Sequence, residues 1–569
     1  MLVALILIPL LAACVVPMVS KQTVKHVALL GTLVPLAIGA VMATQLNWRA
    51  SSTELLGSQQ TYDWFPDLGV TVSLGLNNIS ALLVGLTLLL GPICVLASFT
   101  AITDRVRTYY GWLLVLQSAM TGVFCARDAI LFYIFFEFTL VPMFVLISLY
   151  GSTNRKAAAI KFFLYTFTGS MIALAGIVYV AWYFTAHAIP ALAASGHGVW
   201  SFQFSDLKAA ANAMSPAEQW WVFVAMLCGF AVKVPLFPLH TWLPLAHTEA
   251  PTAGSVVLAG VLLKLGTYAI LMIAIPFCPS AAVELAPFIA TISIIGILYG
   301  GLICWVQTDV KKLVAYSSVA HLGFCMLGMF ALNATGVQGS VLYMINHGLS
   351  TGALFLCIGM VYERYHTRSM KELGGLAAQM PIWATFMVFF TMASVGLPGT
   401  NGFISEFLCI LAAFTTGDTW SFHGTGLHTS GAGQLGPWYA VIAGTGMIVA
   451  AMYLLYMLGH IVWGALRLPG HDAHAPSHGP SDTHAANGAA HSHGSLPRDL
   501  SFREIGVLVP LAALCLAIGL YPKPLTDAIE PQALDLARTM QNYHRSPAAP
   551  GMAAAAAETP VPHAEGVMP

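Results

Sequence analysis

Residues 219–275 read QWWVFVAMLCGFAVKVPLFPLHTWLPLAHTEAPTAGSVVLAGVLLKLGTYAILMIAI. Two runs of roughly 20 apolar residues, each long enough to cross a bilayer as a helix, flank a short polar stretch. Each run carries one lysine well inside it, Lys233 and Lys264. A charge at the bilayer centre costs at least about 2.5–3.5 kcal/mol on the most lenient scale. Lys233 is followed by Pro235 and Pro238, which lack backbone donors and free carbonyls in the preceding turn, so this helix is predicted to break. Irregular backbone at membrane depth is tolerated only inside protein or beside water. The stretch therefore predicts a helical membrane protein with polar machinery between its helices.

The rest of the chain agrees. Of 569 residues, 57% are hydrophobic and 8% charged, against roughly 25% charged in a soluble domain. So little charge cannot solvate a surface, which must face lipid. The net charge of −1 lacks the basic excess of a nucleic-acid binder. Apolar runs near 2–20, 26–45, 73–100, 108–127, 129–150, 161–186, 219–243, 253–275, 285–306, 313–331, 339–362, 381–411, 437–465 and 502–521 predict an all-α polytopic protein of about fourteen spans. They are too long and too uniformly apolar for the strands of an outer-membrane barrel. The ten cysteines are scattered singly, with no CxxC, and read as small buried apolar residues. Leu11–Cys14 reads LAAC, like a lipoprotein cleavage site, but no basic residue precedes it and many spans follow, so it is read as part of the first helix.

Basic residues set the orientation. With an even number of spans, loops on one side hold fifteen Lys and Arg, among them Lys21, Lys25, Arg105, Arg155, Lys311, Lys312, Arg364, Arg368 and Arg503. The other side holds six: Arg49, Arg127, Lys208, Lys523, Arg538 and Arg545. The positive-inside rule places the fifteen in the cytoplasm and both termini outside, on the periplasmic side of a bacterial inner membrane. Residues 468–496 are rich in His, Gly, Ala and Ser and read as a disordered cytoplasmic loop; without regular ligand spacing, metal binding is the weaker reading. The Ala- and Pro-rich end, within a tail placed at 523–569, is expected to be disordered.

Four ionisable groups sit inside spans: Glu137 in IFFEFTLVPMF, Lys233, Lys264, and Glu406 in GLPGTNGFISEFLCI. Two acids and two bases on four helices are either ion pairs that hold helices together or a working set. Burial favours the neutral form and a nearby opposite charge favours the charged form. A buried lysine beside a mobile acid, as Lys233 beside Glu137, can therefore hold or release a proton. His321 in YSSVAHLGF and His347 in MINHGLSTG extend the set, with interhelical hydrogen bonding as the alternative use. His240 and His247 are weaker candidates, and Glu249 reads as interfacial. Gly396, Pro398, Gly399 and Gly402 break the span before Glu406. The two broken spans lie five helices apart, an offset that inverts orientation, as in inverted repeats. The domain plan is helices 1–3 at 1–107, a first repeat at 108–275, a second at 285–465, a loop at 466–501, a last helix at 502–522, and the tail.

The stretches FFEFTLVPMF, KAAAIKFFLYTFTGS, AVKVPLFPLHTWLPLAHTEAPTAGSVVLAGVLLKLGTY, DVKKLVAYSSVAHLGF, NHGLSTGALFL and GLPGTNGFISEF run through most of residues 74–411. Through them the chain resembles the antiporter-like subunits of respiratory complex I, closest to the M type; REIGVLVPLAALCLAIGLYPKP looks like the last helix of that type. The resemblance implies an acid–base pair at Glu137 and Lys233, a bridging lysine at Lys264, a polar axis through His321 and His347, and a terminal group at Glu406. That terminal position is usually Lys in the L and N types and in cation/proton antiporters, so Glu favours M. It implies proton translocation driven by quinone reduction elsewhere, and partners among the other membrane-arm subunits, including neighbouring antiporter-like ones. NADH, FMN, iron–sulfur clusters and quinone are expected in those partners. The chain itself lacks GxGxxG in a strand–turn–helix setting, CxxC and any haem or cluster ligand set. Two other readings stay open: a subunit of a multisubunit cation/proton antiporter, and a non-conducting assembly subunit.

Overall fold

The computed structural model describes residues 1–48, 59–187, 200–416, 432–469 and 497–545. Its helices are α1 (Leu2–Val15), α2 (Lys21–Gln45), α3 (Asn78–Ala101), α4 (Val106–Cys125), α5 (Ala129–Phe138), α6 (Leu140–Tyr150), α7 (Arg155–Ala186), α8 (Phe204–Ala213), α9 (Pro216–Lys233) and α10 (Leu243–Glu249). Then follow α11 (Thr252–Phe277), α12 (Pro279–Trp305), α13 (Val310–Phe330), α14 (Ala334–Tyr365), α15 (Leu376–Gln379), α16 (Pro381–Val395), α17 (Asn401–Phe414), α18 (Pro437–Ile461), α19 (Phe502–Leu520) and α20 (Lys523–Arg545). By length and composition, ten of these segments can cross a membrane, α5 and α6 counting as one. The other predicted runs are filled by shorter or less apolar helices, two of them broken pairs: α9 with α10, and α16 with α17.

Helices start where the sequence supplies caps. Asn77 with Ser80, Ser215 with Glu218, and Ser501 with Glu504 form capping boxes ahead of α3, α9 and α19. Asp128, Asp309 and Asn333 accept N–H bonds at the starts of α5, α13 and α14. The breaks come where donors are missing. After Lys233, Leu236 N–H bonds back to Ala231 and the Trp242 indole donates to the freed Val232 carbonyl at 2.9 Å. Gly396 and Gly399, at φ of +83° and +90°, turn the chain between α16 and α17 in a conformation other residues rarely adopt.

α14 is the axis of the molecule. It packs on α11, α13, α16, α17, α19 and α20. The apolar windows of α11, α13 and α14 are 94%, 94% and 100% buried, against 28% for α2 and 39% for α18, so the polar residues of the first three face protein.

Hydrogen bonds define two ends of the bundle. At one, Tyr150 donates to the Arg105 carbonyl, Ser152 to Glu249, Thr100 to Glu363, and Arg503 to Thr100, while Arg364 and Glu504 pair at 2.8 Å. At the other, a hairpin of β1 (Gln60–Phe65) and β2 (Val70–Leu74) is tied by Thr71 to Asp128, and Asn78 donates to the Ala528 carbonyl. We call these the basic end and the hairpin end.

Three expectations need correcting. The run expected to be helical from 73 begins in β2, because the alternating VTVSL of Val70–Leu74 pairs as a strand before the Asn77 cap can start α3. Residues 523–545, placed in a disordered tail, form the amphipathic α20, which lays Ile529, Ala533 and Met540 on the hairpin end. Lys311, read as a loop residue, stands in the first turn of α13, buried, with Nζ 2.5 Å from the Ala250 carbonyl. Most of the His-rich loop (470–496) and the tail from 546 lie outside the described residues.

Candidate functional site

Lys264 is fully buried in α11. The segments on either side, Leu258–Leu262 and Ile270–Ala274, are wound as wide i→i+5 turns. Five residues back, the Ala259 carbonyl accepts one bond from the Lys264 ammonium. The other contact is His347 Nδ1 of α14, 2.7 Å from Nζ. Among the described residues no carboxylate lies within 4.0 Å of this lysine. A buried cation held by a carbonyl and an imidazole, with no counter-charge beside it, is poorly compensated.

From His347 the row continues. The His347 and His321 rings lie 5.9 Å apart between centroids. His321 Nδ1 is 2.7 Å from the Tyr343 hydroxyl, which donates to Glu406 Oε1 at 2.8 Å. His321 Nδ1 and Glu406 Oε1 are themselves 3.5 Å apart. All five groups are buried. The structure thus brings Lys264, His347, His321 and Glu406 into one row across α11, α14, α13 and α17.

That row is braced on both sides. Asn346 and Asn401 each donate to the other's carbonyl, locking α14 to the first turn of α17. Glu406 Oε2 faces Gly396, where a Cβ would stand 2.6 Å away. Six buried polar atoms of this region have no protein partner among the described residues: His347 Nε2, His321 Nε2, Asn346 Oδ1, Ser394 Oγ, Asn401 Oδ1 and Glu406 Oε2. All but Asn401 belong to residues that line a cavity of ≈ 10 Å³, about the least space that holds one water.

The expected Glu137–Lys233 ion pair is not closed. Lys233, buried at the end of α9, donates to the Phe136 carbonyl at 2.9 Å and to Thr139 Oγ1 at 3.2 Å, with its ammonium 3.7 Å from the centre of the Phe136 ring. Both acceptors sit at the break at Thr139 between α5 and α6, where the Phe136 carbonyl also accepts from Thr139 Oγ1 at 2.7 Å. Glu137, one residue from that carbonyl, keeps Oε1 buried without a protein partner among the described residues. Lys233 is linked to the row through packing: Gly266, two residues beyond Lys264, sits against Phe230 and Val234.

The weaker candidates lie elsewhere. His247 stacks on Phe355 at 4.7 Å, and His240 packs between Phe237 and Tyr299. Glu249 accepts from Ser152 Oγ at 2.7 Å and Asn154 N–H at 2.9 Å, on the wall of a ≈ 490 Å³ cavity at the basic end that Lys311, Glu363 and Arg368 also line. Sequence reasoning missed Tyr343 and Thr139. Tyr343 precedes His347 by four residues and so shares its helix face, a usable signal that a tyrosine's ordinariness hid.

The family model for the transmembrane region shared by NADH:quinone oxidoreductases and Mrp antiporters matches residues 126–433, over half of the chain. The chain is 37% identical to NADH-quinone oxidoreductase subunit M of Rhodobacter capsulatus, over 94% of its own length and 96% of the relative's. It is 35% identical to NADH-ubiquinone oxidoreductase chain 4 of Arabidopsis thaliana, again over 94% and 96%. Among solved structures it matches a chain of respiratory complex I from Thermus thermophilus with bound NADH, with TM-score 0.77 and 26% identity over 95% of this chain and 100% of that one. A chain of the Mrp complex from Dietzia sp. DQ12-45-1b has TM-score 0.76 at 22% identity over 96% and 98%, a likeness of fold.

Proposed function

The chain belongs to the NADH:quinone oxidoreductase/Mrp antiporter family of membrane proteins, and on that premise we propose that it is an antiporter-like, proton-translocating subunit, of the M type, of an NADH–quinone oxidoreductase. The observation that carries this is the buried row Lys264–His347–His321–Glu406, built from neutralisable bases and an acid in a chain with a full-length subunit M relative. Likeness to the Mrp complex is one of fold, whereas full-length identity to subunit M favours the oxidoreductase over a cation/proton antiporter.

In this reading the chain makes about fourteen crossings, with two inverted five-helix repeats at 108–275 and 285–465, in a bacterial inner membrane. The basic end faces the cytoplasm, as the positive-inside rule requires. Its ≈ 490 Å³ cavity, with Glu249, Lys311, Glu363 and Arg368 on its wall, suits proton uptake. A proton loads Lys233 or Lys264, crosses by His347 and His321 with internal water, and leaves by Glu406. The unpartnered atoms around the ≈ 10 Å³ cavity are suited to hold that water. Glu137 sets when Lys233 keeps its proton: the pair closed favours the ammonium, the pair open favours release. NADH, FMN, iron–sulfur clusters and quinone belong to partner subunits of the membrane and peripheral arms, and their redox chemistry supplies the drive.

The test is Lys264→Met in membrane vesicles, with NADH-driven proton transport measured against the amount of assembled complex. Transport per complex should fall well below the parent. Unchanged transport at normal assembly would remove the row from the proton path and return its charges to a purely structural role.

A further inference from the structure

We propose that Tyr343 is a working member of the proton path: its hydroxyl hands the proton from His321 to Glu406. This rests on the proposed function and adds a group to it.

The geometry leaves a gap that only the tyrosine fills. His321 Nδ1 and Glu406 Oε1 stand 3.5 Å apart, beyond a well-formed hydrogen bond. The Tyr343 hydroxyl lies 2.7 Å from the first and 2.8 Å from the second. A hydroxyl has one proton to give, lone pairs to accept with, and a rotor that lets it do both. Here the donor side points at the carboxylate and the acceptor side at the imidazole. Nothing else described bonds to the hydroxyl. The ring is fixed between its neighbours, 6.4 Å from Phe324 in a stacked arrangement, so the bridge needs no side-chain swing. The groups facing the hydroxyl are His321 from α13, Glu406 from α17 and, farther out, Cys409 from α17 and Tyr453 from α18.

The step balances without an outside reactant. The His321 Nδ1–H bond breaks as its proton joins the Tyr343 oxygen. The O–H bond of Tyr343 breaks as its own proton joins Glu406 Oε1. His321 passes from imidazolium to neutral imidazole, Glu406 from carboxylate to acid, and Tyr343 is a neutral phenol before and after. Rotation of the hydroxyl, once Glu406 has discharged, restores the starting arrangement.

The alternative use of Tyr343 is a static bridge that holds α13 to α17, and two variants separate the two. Tyr343→Phe keeps the ring and removes the hydroxyl. In vesicles with normally assembled complex it should lose proton transport per NADH, as Lys264→Met does. If Lys264→Met loses transport and Tyr343→Phe keeps it, the tyrosine proposal falls while the proposed function stands. If neither loses transport, the proposed function itself falls. Should the Phe variant fail to assemble, Tyr343→3-fluorotyrosine keeps both hydrogen bonds but makes the phenol more acidic. A transferring hydroxyl then shifts the pH profile of proton transport. An unshifted profile shows a static bridge and overturns the proposal.

Discussion

Lys233 rests on the backbone of α5 instead of on Glu137. Its two acceptors, the Phe136 carbonyl and Thr139 Oγ1, come from the one place where that span breaks. Thr139 therefore stabilises the open arrangement of the pair. A hydrogen bond to a charged group is worth about 1.5–3 kcal/mol, and about 1.4 kcal/mol is a tenfold change in population. Thr139→Val should accordingly move Lys233 towards Glu137, visible in a high-resolution structure of the variant as Nζ within ion-pair distance of the carboxylate. Thr139→Ser should leave it where it is. A Val variant with Lys233 still on the Phe136 carbonyl would show that Thr139 has no say in the pair. At this scale the sequence was readable where a residue type is costly in its surroundings. Glu137, Lys233, Lys264 and Glu406 stood out because charge inside an apolar run demands a reason. Tyr343 and Thr139 did not, since neither is unusual in a membrane helix, and only their partners give them meaning.

At the scale of elements, the two breaks position the chemistry. The prolines after Lys233 and the glycines before Glu406 were legible, because missing donors and positive φ leave a mark in composition. The wide turns of α11 were not, since nothing in VLAGVLLKLG distinguishes them from ordinary helix. The hairpin was hidden for another reason: the alternation of Val70–Leu74 merges into the apolar run of α3. Gly396 joins a strained φ to contact with Glu406. Gly396→Ala should destabilise the protein by about 1–3 kcal/mol and push the carboxylate off Tyr343, whereas Gly444→Ala, with open space around it, should leave stability near the parent. Thermal unfolding of the purified complex compares the two. Equal midpoints would mean that the break tolerates a side chain and does not fix Glu406.

For the whole molecule, the row runs sideways through the bundle, from α11 through α14 and α13 to α17, instead of from one end to the other. The large cavity lies at the basic end, while α20 and the hairpin cover the opposite end. Hydropathy made the helical bundle visible. It missed α20, whose apolar stripe covers only one face and whose mean hydropathy is low. The row itself is a property of packing: four helices had to be placed against one another before Lys264 and Glu406 became the ends of one row. The central claim is that this path needs a base able to give up its proton, not only a positive charge. Arginine keeps the charge and does not deprotonate in proteins. The direct measurement is NADH-driven proton transport per assembled complex with Lys264→Arg. Loss as deep as that of Lys264→Met is the predicted result; transport at the parent level would contradict the account, because a fixed charge would then suffice.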